Sequence, residues 1–252
     1  MPDKYTLKPS LTEKFKGIIW KIETDDSEPI IGIETRDTAE RKAYFSAFNY
    51  RTGICLFKEA DIEESWHWSL DKVSNGHLYL HSYLHDSNPQ RSGIIAFNSK
   101  GSIAWQHFNK SLDFITDEGL VVYNPKVHPK KPEVLSFNTG EIISDKPHLI
   151  ESEERPIILP TVLTEPLLFT LPENLYGPVL HCKFNGKDIV SYHTNNGNNY
   201  NQILQIYTDG SLMLDDNLAT GIQKLNPEAF FIEGEHLFFI RDSNHEIVGY
   251  SL

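Results

Sequence analysis

The amino-acid order predicts an all-β fold of five antiparallel sheets, each of about four strands, stacked radially. Three observations carry that expectation. One hairpin phrase recurs four times, apolar runs with two hydrophobic faces accompany it, and no amphipathic helical period separates those runs. The phrase is two or three apolar residues, an aromatic, a polar turn closed by glycine, then a second apolar run. It reads FSAFNYRTGICLFKE (45–59), GIIAFNSKGSIAWQH (93–107), EVLSFNTGEIIS (133–144) and QILQIYTDGSLMLDD (202–216).

Each turn follows from its residues. NYRTG, NSKG, NTG and YTDG put Gly53, Gly101, Gly140 and Gly210 where a tight hairpin needs positive φ, and the neighbouring Asn or Asp can bond its own backbone. Two further β-rich runs precede each hairpin. The first group is IIWKI (18–22) and PIIGIETRD (29–37); the second is SWHWSL (65–70), read as a strand with Trp66 and Trp68 on one face, and HLYLHSYLHD (77–86). The third is LDFIT (112–116) and GLVVYN (119–124), and the fourth is PVLHCKF (178–184) and DIVSYHTN (188–195). EAFFIE (228–233), HLFFIRDS (236–243) and EIVGYSL (246–252) make a fifth group without a fourth strand.

Consecutive apolar residues mean that both sheet faces are buried. Parallel α/β sheets achieve this with helices, for which there is no pattern here, whereas radially stacked sheets bury both faces against their neighbours. The expectation is a five-bladed β-propeller occupying residues 1–252 as one domain. Its missing outer strand comes from the N-terminal segment, either 5–11 or 15–22, which covers an edge that otherwise invites aggregation. The turn glycines are 48, 39 and 70 residues apart, so the last interval holds a blade plus a proline-rich insertion at 146–178. A sixth blade in that insertion is the alternative.

Composition narrows the function. Of 252 residues 39% are hydrophobic, enough for a substantial core, and the formal net charge of −12 disfavours nucleic acid and anionic membrane surfaces as partners. No apolar run reaches signal-peptide or membrane-spanning length. Two widely separated cysteines, Cys55 and Cys182, read as buried reduced thiols in a cytoplasmic protein.

The phrase best seen in IIAFNSKGSIAWQ resembles the propeller repeat named after pyrroloquinoline quinone enzymes, and as repeat pattern the resemblance covers about four fifths of the chain. Size, the opening IIWKI and the ETRD element also resemble an uncharacterised bacterial family of about 250 residues, which implies no known activity. The chain lacks the adjacent cysteine pair and the blade number of the quinone enzymes, so no cofactor is carried over.

In a propeller the connections between second and third strands emerge on the face where ligands meet the central channel. Here they are 36–42, 86–92, 125–132, 194–202 and 242–246, all polar and read as elaborated loops. Candidate ligand-binding residues on or near that face are Trp66, His67, Trp68, Asp86, Arg91, His128, Asn195, Asn196, Asn199, Tyr200, Asp242 and His245. Tryptophans suit stacking on a sugar or nucleobase but equally pack between blades, and asparagine with glycine suits both amide recognition and any exposed turn. His81 and His85 stand too far apart along a strand to share a metal, His181 and Cys182 point to opposite faces, and no zinc-ligand spacing occurs. No phosphate loop or nucleophile motif appears. The leading expectation is a non-catalytic binding scaffold for an unidentified protein or small polar ligand, without metal or cofactor. The alternative is a furanosidase-like glycoside hydrolase using Glu64, Asp113 and Glu228, residues placed to supply an acid and a nucleophile or base.

Overall fold

The computed structural model describes residues 7–85, 88–145 and 155–252. Among them the fold is all-β, in five antiparallel sheets of four, four, four, five and five strands, and the single helical element is one 3-10 turn at Ser65–His67. The chain begins with β1 (Pro9–Lys14) and enters a first sheet of β2 (Ile18–Thr24), β3 (Ile30–Asp37), β4 (Lys42–Asn49) and β5 (Ile54–Ala60). A second sheet follows as β6 (Ser69–Ser74), β7 (His77–His85), β8 (Asn88–Phe97) and β9 (Ile103–His107). The third is β10 (Ser111–Ile115), β11 (Leu120–Tyr123), β12 (Pro132–Leu135) and β13 (Ile142–Ser144). Two short strands come next, β14 (Ile157–Ile158) and β15 (Thr161–Val162). The fourth sheet joins β15 to β16 (Leu175–Phe184), β17 (Lys187–Asn196), β18 (Asn199–Thr208) and β19 (Ser211–Ile222). In the fifth, β20 (Phe231–Glu233), β21 (His236–Arg241) and β22 (Glu246–Ser251) are flanked by β14 at one edge and β1 at the other.

The strands form two compact units. One is Phe15–Glu154, with the first three sheets, and the other is Met1–Lys14 with Arg155–Leu252, containing the last two. In the first unit Phe45, Ala47, Trp68, Leu70, Leu78, Ile95 and Phe97 fill the space between the first and second sheets. Tyr79, Ile94, Ala96, Trp105, Leu120, Val122 and Leu135 fill that between the second and third. The second sheet is therefore buried on both faces, as its uninterrupted apolar runs require. In the other unit Ile189, Leu204, Ile206, Ile232, Leu237, Phe239 and Val248 form the core.

All four turn glycines have positive φ: 71° at Gly53, 73° at Gly101, 67° at Gly140 and 75° at Gly210. At Gly140 a second constraint acts, since a Cβ there would lie 2.5 Å from the Trp105 ring.

Several expectations are corrected. SWHWSL is not a strand: residues 65–67 make the 3-10 turn, entered through Glu64 with φ 53°, and β6 starts only at Ser69. Hydrogen bonds from the Ala43 N–H to Ser65 Oγ and from Arg36 to two carbonyls of this stretch hold the backbone in the turn. The strand that completes the fifth sheet is Pro9–Lys14, paired from Pro9 with Tyr250 to Lys14 with Glu246, while Phe15–Ile22 leads into the first sheet. Cys55, on an outer strand, is exposed, and Cys182 is buried; neither is in a disulfide. The described part of the insertion, 155–178, supplies β14, β15 and the first residues of β16 and packs Leu167, Phe169 and Leu171 against Tyr192 and Tyr207. Residues 146–154 lie outside the described residues.

Candidate ligand-binding site

The first strands of all three sheets in the Phe15–Glu154 unit carry the same irregularity, one extra residue set against the second strand. In β2 that residue is Trp20, between the Ile19–Thr35 and Lys21–Glu34 pairs; in β6 it is Asp71, and in β10 it is Asp113. A β-bulge breaks the in-and-out alternation and re-aims a side chain, so three equivalent points of the repeat present a tryptophan and two aspartates.

Trp20 is 60% exposed, and the Arg36 guanidinium lies 5.3 Å from its ring centre and 5.0 Å from that of Trp66. Arg36 is therefore held between two indoles, a cation–π arrangement. Its orientation is fixed by Glu34, whose side chain is fully buried and receives Arg36 Nε at 2.6 Å, Ser69 Oγ at 2.7 Å and the Leu70 N–H at 2.8 Å. Arg36 also donates to the Trp66 and Trp68 carbonyls, so one buried ion pair ties β3 to the 3-10 turn and to β6.

Beside this stack Lys21 Nζ donates to the Leu70 carbonyl at 2.9 Å and pairs with Glu23 at 3.0 Å. The next residue on β6, Asp71, is 4% exposed, accepts from Arg91 at 2.6 Å and lies 3.5 Å from Nδ1 of His81. Burial pushes the Asp71 carboxyl up, but the His81 imidazole, the Arg91 guanidinium and Lys21 together outweigh it and hold the group below the ordinary aspartate range. His81 is 3% exposed; its Nδ1 faces the Asp71 carboxylate, and its Nε2 has no hydrogen-bond partner. The Tyr83 ring stands edge-on to it at 5.3 Å and is half exposed, as is Arg91. At the third bulge Asp113 is bound by Lys130 at 2.5 Å, and Lys130 lies 4.1 Å over the Tyr123 ring.

The structure brings some of the sequence-nominated residues together and separates others. Trp66 and Arg91 belong to this corner. Trp68 is buried in the core between the first two sheets and His67 is exposed on the turn, so the three aromatic residues do not share a face. Glu64 lines a depression of about 460 Å³ with Glu40, Lys42 and Asp61. His128 is exposed in the loop between β11 and β12, and Asp86 lies outside the described residues. In the other unit the expected loop 194–202 is strand almost throughout. β17 and β18 stay paired as far as Asn196 with Asn199, which leaves a two-residue turn and puts Asn195, Asn196 and Asn199 at the tip of a long hairpin. The expected loop 86–92 is likewise largely β8. Close to the tip of the long hairpin Tyr200 stacks on Tyr176 at 4.7 Å. Asp242 pairs with Lys14 at 3.0 Å, His245 Nδ1 contacts the Ser243 carbonyl, and exposed Glu228 accepts from Gln202 through its carbonyl.

Sequence reasoning missed Trp20, Glu34, Arg36, Asp71 and, as a site residue, His81. The available signal was a glutamate and an arginine two apart inside the apolar run IIGIETRD, where an unpaired charge would be costly. Among the described residues no group of three His, Cys, Asp or Glu side chains could hold a metal ion, and no helix is long and apolar enough to cross a membrane.

Residues 24–105, about a third of the chain and including most of this corner, match the profile of a domain of unknown function, DUF4905. No curated protein matches the sequence. Among solved structures, a bifunctional GH43-CE protein of Bacteroides eggerthii is similar at 13% identity with a TM-score of 0.27; the alignment covers 92% of this chain and 32% of that one, so the chain spans about a third of its length. A subtype N11 neuraminidase-like protein of influenza A/flat-faced bat/Peru/033/2010 is similar at 7% identity with a TM-score of 0.28, over 99% of this chain and 95% of the other.

Proposed function

We propose that the five sheets are the blades of a five-bladed β-propeller, completed by β1, and that the protein is a non-catalytic binding module taking a small polar ligand on the loop face. The observation that carries the second half is the state of the carboxylates at the bulges. A glycosidase needs a carboxyl that keeps its proton to act as acid. Asp71 is held below the usual range by the charges around it, and one oxygen of Asp113 is bound by Lys130. Both support a role in fixing donors rather than in proton transfer. The open indole of Trp20 and the half-exposed Arg91 then supply contact surface and hydrogen-bond donors beside a rigid, buried ion pair.

The test is a ligand screen by thermal shift and calorimetry, run beside hydrolysis assays on furanoside and pyranoside substrates. Binding without turnover is expected. Turnover that disappears in Glu64→Gln, Asp113→Asn or Glu228→Gln would establish the hydrolase reading in its place.

A further inference from the structure

A buried imidazole nitrogen left without a polar partner is costly. Nε2 of His81 is in that position, while Nδ1 faces the Asp71 carboxylate at 3.5 Å, Arg91 binds the same carboxylate and Tyr83 stands edge-on to the ring. Such a group marks a place where a polar partner is absent. The chemistry of that partner can be read from the charges nearby. Lys21, Arg36 and Arg91 face Glu23, Glu34 and Asp71, three of each sign. An anion would meet the carboxylates in a chain whose formal charge is already −12, and a cation would meet three basic groups. A hydroxyl both donates and accepts, so it can satisfy an imidazole nitrogen, the lone pairs of Asp71 left by Arg91, and the remaining N–H groups of Arg91 at once. Trp20 adds an apolar ring face against which the C–H face of a sugar can lie.

We propose that the corner formed by Trp20, Asp71, His81 and Arg91 binds a neutral saccharide, an inference that rests on the reading of this protein as a binding module. Tyr83, half exposed and edge-on to His81, is the side chain that swings aside to admit a hydroxyl. No bond is made or broken in the saccharide.

The experiment titrates the full chain with glucose, galactose, arabinose, maltose and cellobiose, and in parallel with inorganic phosphate and calcium chloride. Calorimetry and tryptophan fluorescence read binding, and the ¹⁵N shifts of the His81 imidazole read its location. At least one saccharide is expected to bind and to move the His81 resonances. Arg91→Gln and Trp20→Ala, both at half-exposed positions, should each weaken it about tenfold or more, the loss of one charge-assisted hydrogen bond or of one stacking surface. Lys100→Gln, on an exposed turn, should not. Saccharide affinity equal in wild type, Arg91→Gln and Trp20→Ala overturns the assignment, as does binding of phosphate or calcium alone, which leaves the binding-module reading intact. Absence of binding in every arm overturns the assignment as well. A saccharide that is cleaved rather than retained would sink the non-catalytic reading while upholding the ligand class.

Discussion

Replacing Glu34 by glutamine isolates the ion pair that positions the site. The side chain keeps its shape but loses its charge, and its new amide N–H₂ faces a cluster of three donors: Arg36 Nε, Ser69 Oγ and the Leu70 N–H. Removing one partner of a buried pair costs about 3–5 kcal/mol. Here the remaining oxygen still accepts, which sets the expectation near the lower figure, about 3 kcal/mol. With the Glu34 side chain 0% exposed and that of Arg36 14% exposed, solvent screening discounts little of this. All four tryptophans (Trp20, Trp66, Trp68 and Trp105) lie within Phe15–Glu154, so urea unfolding followed by tryptophan fluorescence reports on that unit alone. The midpoint should fall sharply, and native-state fluorescence should change as Arg36 is released from between Trp20 and Trp66. The double variant Glu34→Gln/Arg36→Met should recover part of the loss, because an unpaired buried guanidinium is worse than an apolar chain of similar length. A loss below about 1 kcal/mol in the single variant, or a double variant worse than the sum of its parts, would refute the assignment of Glu34 as the organising charge.

Three other outcomes follow from the geometry. Gly140→Ala sets a Cβ 2.5 Å from the Trp105 ring at a φ of 67°, and should lower the melting temperature by several degrees, about 2 kcal/mol or more from backbone strain and overpacking together. Because the Asp71 carboxyl is held below its unfolded value, its contribution to stability is complete above the ordinary aspartate range and is lost as pH falls through the lower folded value; Asp71→Asn should therefore flatten the pH dependence of stability below about pH 4. In native protein a thiol reagent should modify Cys55 at once and Cys182 only on unfolding, since the latter is buried and its thiol is pushed up by that burial. A native count of two fast-reacting thiols would contradict the placement of β16.

The turns were legible because positive φ leaves few residue choices, and Gly53, Gly101, Gly140 and Gly210 all stand where the repeat puts them. The five sheets were legible for a related reason: twice-buried strands have to be written as continuous apolar runs. What escaped detection was local. A bulge adds one residue without changing composition, so nothing in IIWKI or SLDKV marks Trp20 or Asp71 as the extra one. The alternation in Ser65–Leu70 imitates a strand, but the turn's own backbone bonds, with those from Arg36 to the Trp66 and Trp68 carbonyls and from the Ala43 N–H to Ser65 Oγ, keep that segment in a turn. The amide-rich stretch 194–202 reads as a loop by composition but continues a ladder that Tyr192 and Ile203 begin inside the protein. Of the residues in the candidate corner, the sequence nominates Trp66 and Arg91, while their partners Arg36 and Asp71 are reached through long-range pairs with no sequence signal of their own.

The pairing of β1 with β22 has a consequence for synthesis. Of the described strands β1 is made before all the others and must wait for β22, an interval on the order of tens of seconds at ordinary ribosomal speed. Throughout that delay Leu11, which ends 2% exposed, has no place to bury itself, while the three sheets encoded between 15 and 145 already have their own partners. A permuted chain that starts at β2 and carries β1 after β22 through a short tether would turn this long-distance pairing into a hairpin, and would remove from the nascent polypeptide its most persistent sticky end.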